Sequence, residues 1–174
     1  MDLRFPPFDI ERACIFWCYV TAHFLREAGL NPLIQAGTML WPRKYPPLDP
    51  NDNDCTFGYL CTHDLQAMTE DIKDGRLPEL HAWIVLPETL EIVDPTTKYL
   101  DVQCRRVFRR FWLGPQPPDY IWGTVDVLPD GAVYIPCADA IAATLVALDA
   151  QIDMVFGKRL NVDIFSERLL GAGA

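Results

Sequence analysis

The first apolar positions of the chain repeat at helical spacing. Within residues 10–25, apolar side chains recur every three or four positions, which is typical of an α-helix. Gly29 suits the position just after a helix end, so the helix is predicted to end near Ala28. Its start is open between an N-cap at Asp9 and a later start at Cys14. Three aromatic residues off the apolar stripe predict a helix that is buried on most sides: Phe16, Tyr19 and Phe24.

The next segments predict a strand, an irregular stretch and a short helix. Residues 32–40 are mostly apolar and have the length of a strand. Residues 41–54 hold four prolines and three aspartates, which predicts an exposed, irregular lid. A short helix is predicted over residues 63–74 because apolar residues share one of its faces. We interpret the whole segment 42–80 as an insertion that covers a cleft.

Two hairpins and a long helix are predicted in the rest of the chain. Short β-branched runs separated by turn residues predict hairpins, and apolar residues stepping by four and three predict the helix. The strands of the first hairpin are residues 80–86 and 90–93, those of the second are 121–127 and 132–135, and the helix spans 138–156. A helix, then mostly antiparallel strands, then a helix predict one α+β domain over residues 1–174.

The first hairpin has a register that decides which side chains meet. If Leu86 pairs with Thr89, paired residue numbers sum to 175 and His81 lies directly opposite Asp94. Residues opposite each other share a face of the sheet, with Cβ atoms about 4.5–5.5 Å apart. A four-residue loop keeps the same sum, whereas a three-residue loop would pair Ala82 with Asp94 and would turn His81 to the other face.

Composition and charge exclude several classes of partner. The chain has 174 residues, half of them hydrophobic, with a formal net charge of −9. An acidic chain is a poor ligand for nucleic acid, and the same charge disfavours anionic membrane surfaces. The segment before the first helix is acidic, whereas a secretory leader is positive, so a cytoplasmic protein is expected. The six cysteines are then expected to be reduced thiols.

Three residues on different predicted elements suggest thiol chemistry. Cys14 lies on the first helix, His81 begins one strand and Asp94 ends the next. A thiol becomes a nucleophile as its thiolate, which a helix N-terminus and a neighbouring imidazole favour. A carboxylate can then hold the imidazole in the right tautomer. Each residue also has a simpler interpretation, namely a buried apolar thiol, a core histidine and turn chemistry before proline.

These motifs resemble the transglutaminase-like branch of the papain-like thiol enzymes. The resemblance covers roughly residues 10–100 and rests on Cys14 with Gly29 fifteen residues later, the run 81–83 (His-Ala-Trp) and the run 94–96 (Asp-Pro-Thr). It implies a nucleophile helix packed on an antiparallel β-sheet, with a C-terminal helix added. It also implies that Cys14 is the nucleophile, that His81 is the general base and that Asp94 orients the histidine.

The resemblance leaves the substrate and the acyl acceptor open. The expected substrate is a peptide or small amide, and the expected reaction is hydrolysis through an acyl-enzyme on Cys14. The alternatives are an acyltransferase of transglutaminase or arylamine N-acetyltransferase type and a non-catalytic binding protein of the same fold. The Cys14 backbone N–H is one expected oxyanion donor. Residues expected to bind substrate or supply a second donor are Trp83, Trp41 and Gln35.

Other candidate sites are weaker. The spacing of Cys55, Cys61 and His63 fits no common zinc motif, so no metal is expected. No glycine-rich phosphate or dinucleotide motif is present, so no cofactor is expected. Four arginines, at positions 105, 106, 109 and 110, are interpreted as a solvated face paired with nearby acids, with an anionic substrate or acidic partner as the alternative. The oligomeric state stays open.

Overall fold

The fold is that of a computed structural model, which describes residues 14–43, 56–62, 64–73, 79–107, 109–129 and 131–145. Over these residues the chain is α+β, with four helices and an antiparallel sheet. In chain order the elements are α1 (Cys14–Glu27), β1 (Leu33–Pro42), β2 (Thr56–Tyr59), α2 (Leu65–Lys73), β3 (His81–Leu86), β4 (Glu91–Asp94), α3 (Leu100–Val107), β5 (Ile121–Gly123), β6 (Val133–Pro136) and α4 (residues 138–145).

The long strand β1 organises the sheet. The strands follow the order β2-β1-β3-β4-β5, and β6 also pairs with β1. All pairs are antiparallel. Strand β1 pairs with β3 along its first half and with β2 and β6 along its second half. Gly37 lies where these halves meet, because it pairs with both His81 and Pro136.

The sheet has an apolar cluster on each face. Side chains alternate along a strand, so Ala82 and Ile84 face one way while His81 and Trp83 face the other. The first cluster joins α1 and α4 to the sheet and includes Cys18, Ala22, Ile34, Ala82, Ile84 and Ile141. The second cluster joins α3 to the sheet and includes Met39, Trp41, Phe57, Leu100, Cys104 and Ile121. The helix that carries Cys14 therefore packs on the sheet, as the sequence predicts.

Helix α1 is less buried than the sequence predicts. It ends at Glu27, and Gly29 follows with a φ of 86°, the left-handed conformation that glycine adopts at helix ends. Phe16 is buried, but Phe24 is 62% exposed, so the prediction of burial on most sides is wrong. Four residues of the helix are buried, and three of them, Cys18, Ala22 and Leu25, pack in the first cluster on the sheet.

The register of the β3–β4 hairpin differs from the predicted one. Leu86 pairs with Glu91, so paired residue numbers sum to 177 rather than 175. The loop therefore has four residues, 87–90, and Leu90 adopts a φ of 58° at its end. Because the shift is two residues, parity is kept, and His81 and Asp94 share a face as neighbours along the diagonal.

The predicted second hairpin does not form. The turn is present, since Ala132 N donates to Pro129 O at 2.9 Å. The strands on either side of it go to different partners, however, because β5 pairs with β4 and β6 pairs with β1. Residues 125–127 form a short 3-10 turn instead of extending β5.

The segment interpreted as a covering insertion includes parts of the core. Strand β2 is a member of the sheet, and both Phe57 and Met68 are buried. Helix α2 begins after Asp64, whose Oδ1 accepts a hydrogen bond from Ala67 N at 2.9 Å. Residues 44–54 of the predicted irregular stretch lie outside the described residues, as do residues 146–156 of the predicted C-terminal helix. The prediction is wrong for Trp41 and Pro42, which continue β1 because they pair with β2.

Candidate functional site

The first contact of the site joins two buried side chains on neighbouring strands. His81 begins β3 and Asp94 ends β4, and they are 2% and 0% exposed. His81 Nε2 lies 2.7 Å from Asp94 Oδ2, a short distance for a hydrogen bond between a ring nitrogen and a carboxylate. The predicted contact between these residues is confirmed, whereas the predicted position of His81 directly opposite Asp94 is wrong, as the shifted register requires.

Four hydrogen bonds converge on the Asp94 carboxylate. Oδ1 accepts from Thr96 N at 2.9 Å and from Thr96 Oγ1 at 2.7 Å. Oδ2 accepts from Tyr134 OH at 2.8 Å as well as from His81. Burial alone would raise the pKa of Asp94, but the charge and hydrogen bond of His81 and the bonds from Thr96 hold it below its usual value. Asp94 is therefore a buried carboxylate that stays ionised.

The thiol of Cys14 completes a row of three side chains. Cys14 is the first residue of α1, and its side chain lies close enough to the His81 imidazole to raise the pKa of that histidine. Since Asp94 engages Nε2, the ring nitrogen left for the thiol is Nδ1. The structure thus brings together the three residues that the sequence predicts as nucleophile, base and orienting acid. Their catalytic roles stay predictions.

The charges of this row favour a protonated histidine. Burial alone would lower the pKa of His81, but the charge and hydrogen bond of Asp94 and then those of Cys14 raise it to about 10. A histidine that keeps its proton at neutral pH stabilises a neighbouring thiolate by charge. The arrangement therefore holds a buried cation beside the side chain of Cys14.

Cys14 differs from the other described cysteines in exposure. Cys14 is partly exposed, whereas Cys18, Cys61, Cys104 and Cys137 are buried, and none of the five is in a disulfide. Cys18, one turn further along α1, donates to Ala82 O at 3.3 Å. Burial and the charge of Asp94 raise the pKa of Cys18, so it stays a neutral thiol. Reagents therefore have a route to Cys14 that the neighbouring thiol lacks.

Aromatic rings surround the imidazole of His81. Tyr59 stacks on it with ring centroids 5.6 Å apart and planes 16° apart, and Trp83 lies at 6.5 Å with planes 17° apart. Tyr134 lies 6.1 Å from His81 and meets Trp83 edge-on at 5.2 Å. Sequence reasoning missed Tyr59 and Tyr134, because β2 and β6 reach the site only through long-range pairing with β1. The β-branched residues of the run 132–135 predict a strand that includes Tyr134, but they do not predict its partner.

The predicted substrate-binding residues lie at different depths around the site. Trp83 is 2% exposed and forms part of the wall beside His81. Gln35 is partly exposed and pairs with Trp83 across β1 and β3. Trp41 is buried in the second cluster, four positions along β1 from Gly37, a distance of roughly 13 Å at about 3.3 Å per residue. Gln35 is thus placed near the histidine, and Trp41 is not.

Trp41 instead lines a separate cavity. The cavity has a volume of about 470 Å³ and is lined mostly by proline and apolar side chains. The sequence expectation that Trp41 supplies an oxyanion donor is therefore not supported by its position, since it packs with Phe57 and Leu100. Its indole belongs to the core of the sheet.

The remaining candidates from the sequence are a set of possible metal ligands and a face of arginines. Cys61 is described, whereas Cys55 and His63 lie outside the described residues. Among the residues that the structure describes, no cluster of three or more His, Cys, Asp or Glu side chains is arranged to hold a metal. Arg105 pairs with Asp101 at 2.8 Å on α3, which agrees with its interpretation as part of a solvated face.

Comparison with known proteins gives no relative to argue from. No family model matches the chain, and no curated protein or solved structure matches it. Within the described residues, no helix is both long enough and apolar enough to cross a bilayer. The interpretation of the site therefore depends on its own geometry.

Proposed function

We propose that this protein is a cysteine-dependent hydrolase of peptide or small amide bonds, with a papain-like, transglutaminase-like core. The observation that carries the proposal is the row of side chains in which Asp94 hydrogen-bonds to His81 and His81 in turn neighbours Cys14. A thiol, an imidazole and an ionised carboxylate in this order supply a nucleophile, a proton carrier and an orienting group. None of the five described cysteines is in a disulfide, which fits a reducing, cytoplasmic setting.

The reaction begins with attack by the Cys14 thiolate on the substrate carbonyl carbon. A C–S bond forms and the carbonyl electrons move to oxygen, which we expect the Cys14 backbone N–H to stabilise. As the tetrahedral species collapses, the C–N bond breaks. The His81 imidazolium gives its proton to the leaving amine. The product is a thioester on Cys14 and a neutral His81.

Water completes the turnover. His81 takes a proton from water as the oxygen attacks the thioester carbonyl. The C–S bond then breaks, the carboxylic acid leaves, and the thiolate–imidazolium pair is restored. Asp94 accepts from Nε2 throughout and keeps Nδ1 turned toward the sulfur. A primary amine in place of water would give the acyl transfer that the sequence leaves open.

The test uses p-nitrophenyl acetate, a small activated ester that acylates reactive thiols. Release of p-nitrophenol is followed by absorbance at about neutral pH, and the acid-quenched protein is mapped by peptide mass spectrometry. We expect one acetyl group on Cys14, followed by turnover. Cys14→Ser and His81→Gln should each lower the rate by roughly 10²–10⁴-fold.

The matched control is His23→Gln, because His23 lies on α1 with 61% of its side chain exposed, paired with Glu27. This variant should keep the wild-type rate. Acetylation of Cys14 at the same rate with and without His81 would refute the proposal. Added glycinamide that accepts the acetyl group faster than water does would replace hydrolysis by acyl transfer.

A further inference from the structure

The hydroxyl of Tyr134 touches the same carboxylate oxygen as the histidine. Asp94 Oδ2 accepts from Tyr134 OH at 2.8 Å and from His81 Nε2 at 2.7 Å. Two donors on one oxygen fix its position in two directions, and Thr96 holds the other oxygen. The histidine is thus aligned by a carboxylate that cannot rotate without breaking several bonds.

Strand β6 brings Tyr134 to this position because β1 carries glycine at the crossing point. Tyr134 pairs with Met39 on β1, and Gly37 pairs with both Pro136 and His81. A Cβ atom on Gly37 would lie 2.2 Å from Ile135 O, which no backbone tolerates. Glycine therefore allows β6 to lie close beside the strand that holds the histidine.

The ring of Tyr134 is fixed independently of its hydroxyl. It meets Trp83 edge-on with centroids 5.2 Å apart and lies in the second apolar cluster. Burial and then the charge of Asp94 raise the pKa of Tyr134, so the hydroxyl keeps its proton and acts as a donor. Replacement by phenylalanine removes this donor and leaves the packing in place.

We propose that Tyr134 is a positioning residue of the site, which orients Asp94 and limits how tightly His81 holds its proton. The proposal rests on the proposed function, since it assigns a role within the same row of side chains. The hydroxyl dipole draws charge from Oδ2, so the carboxylate attracts the imidazolium less strongly. Without the hydroxyl, His81 should keep its proton to a higher pH, and the row should be less well aligned.

The experiment follows the titration of His81 by NMR in protein labelled with ¹³C-histidine, using His81→Gln to assign the resonance. In Tyr134→Phe the titration should move to higher pH by on the order of one unit. Acylation of Cys14 by p-nitrophenyl acetate should fall by about tenfold. Tyr120→Phe, which removes a hydroxyl from a ring that is 61% exposed, should change neither quantity.

An unchanged His81 titration in a folded Tyr134→Phe protein would overturn the proposal. This readout needs no turnover, so it stays distinct from failure of the proposed function, in which the wild type itself would not acylate at Cys14. If Tyr134→Phe does not fold, ¹³C-tyrosine NMR of the wild type decides. Tyr134 should then keep its proton above the usual tyrosine pKa of about 10, and ionisation near that value would overturn the proposal.

Discussion

The buried pair of His81 and Asp94 makes stability fall as pH rises above neutrality. The pKa of His81 is about 10 in the folded protein and 6.5 as a free side chain, so the folded state binds the proton more tightly. Its contribution is fully present below about pH 6.5 and is lost as pH rises toward 10. The free energy of unfolding should therefore fall by about 2 kcal/mol between pH 6.5 and 8.5 from this group.

Asp94 changes stability at the opposite end of the pH scale. Its pKa is lowered in the folded protein, so its contribution is present above the unfolded value and is lost as pH falls through the acid range. The window from about pH 6.5 to 8.5 isolates the contribution of the histidine to stability. Buried thiols such as Cys18 begin to lower the free energy of unfolding only above the free-thiol pKa of about 8.5.

The assay is urea unfolding followed by circular dichroism at three pH values across that window. The comparison is the double variant His81→Gln/Asp94→Asn, which removes both charges and leaves no buried charge unpaired. The double variant should be nearly independent of pH there, while His23→Gln should keep the wild-type slope because its side chain is 61% exposed. A wild type whose stability does not change across the window would refute the assignment of a buried imidazolium.

Two further predictions concern single positions near the site. Asp94→Asn should lower the pH at which His81 loses its proton, as measured by ¹³C-histidine NMR, and should lower the rate of Cys14 acylation by on the order of 10³-fold. A His81 titration that does not change would show that the contact with Asp94 is not what raises the pKa of His81. Gly37→Ala should cost about 1–3 kcal/mol in urea unfolding and slow acylation, because its Cβ meets Ile135 O. The control is Gly29→Ala, which strains only the end of α1 and should leave acylation unchanged. If Gly29→Ala slows acylation as much as Gly37→Ala does, the effect of Gly37 is not local to the site.

The meeting of His81 and Asp94 was predictable because it depends on strand parity rather than on exact register. The predicted pairing was wrong by two positions, since nothing in residues 87–90 marks a four-residue loop that ends with Leu90 at a φ of 58°. A shift of two keeps both side chains on one face, and the contact is retained. Local patterns therefore predict the face of a residue more securely than its partner.

The features that were missed arise from contacts between distant parts of the chain. The turn before β6 was predicted, but the choice of β1 over β5 as its partner depends on Gly37, about a hundred residues earlier. Strand β2 has only four residues and helix α3 only eight, so both are shorter than the stretch over which periodicity is diagnostic. For the same reason the contact of Tyr134 with Asp94 could not be read from local sequence.

The most direct test of the central claim is the rate of Cys14 alkylation with and without His81. Limiting iodoacetamide is applied to the folded protein at neutral pH, and each labelled cysteine is identified by peptide mapping. An imidazolium beside the sulfur predicts that Cys14 reacts first, and that His81→Gln slows this reaction by roughly tenfold or more. The control His23→Gln should leave the rate unchanged. If Cys14 reacts at the same rate in the wild type and in His81→Gln, the account is contradicted.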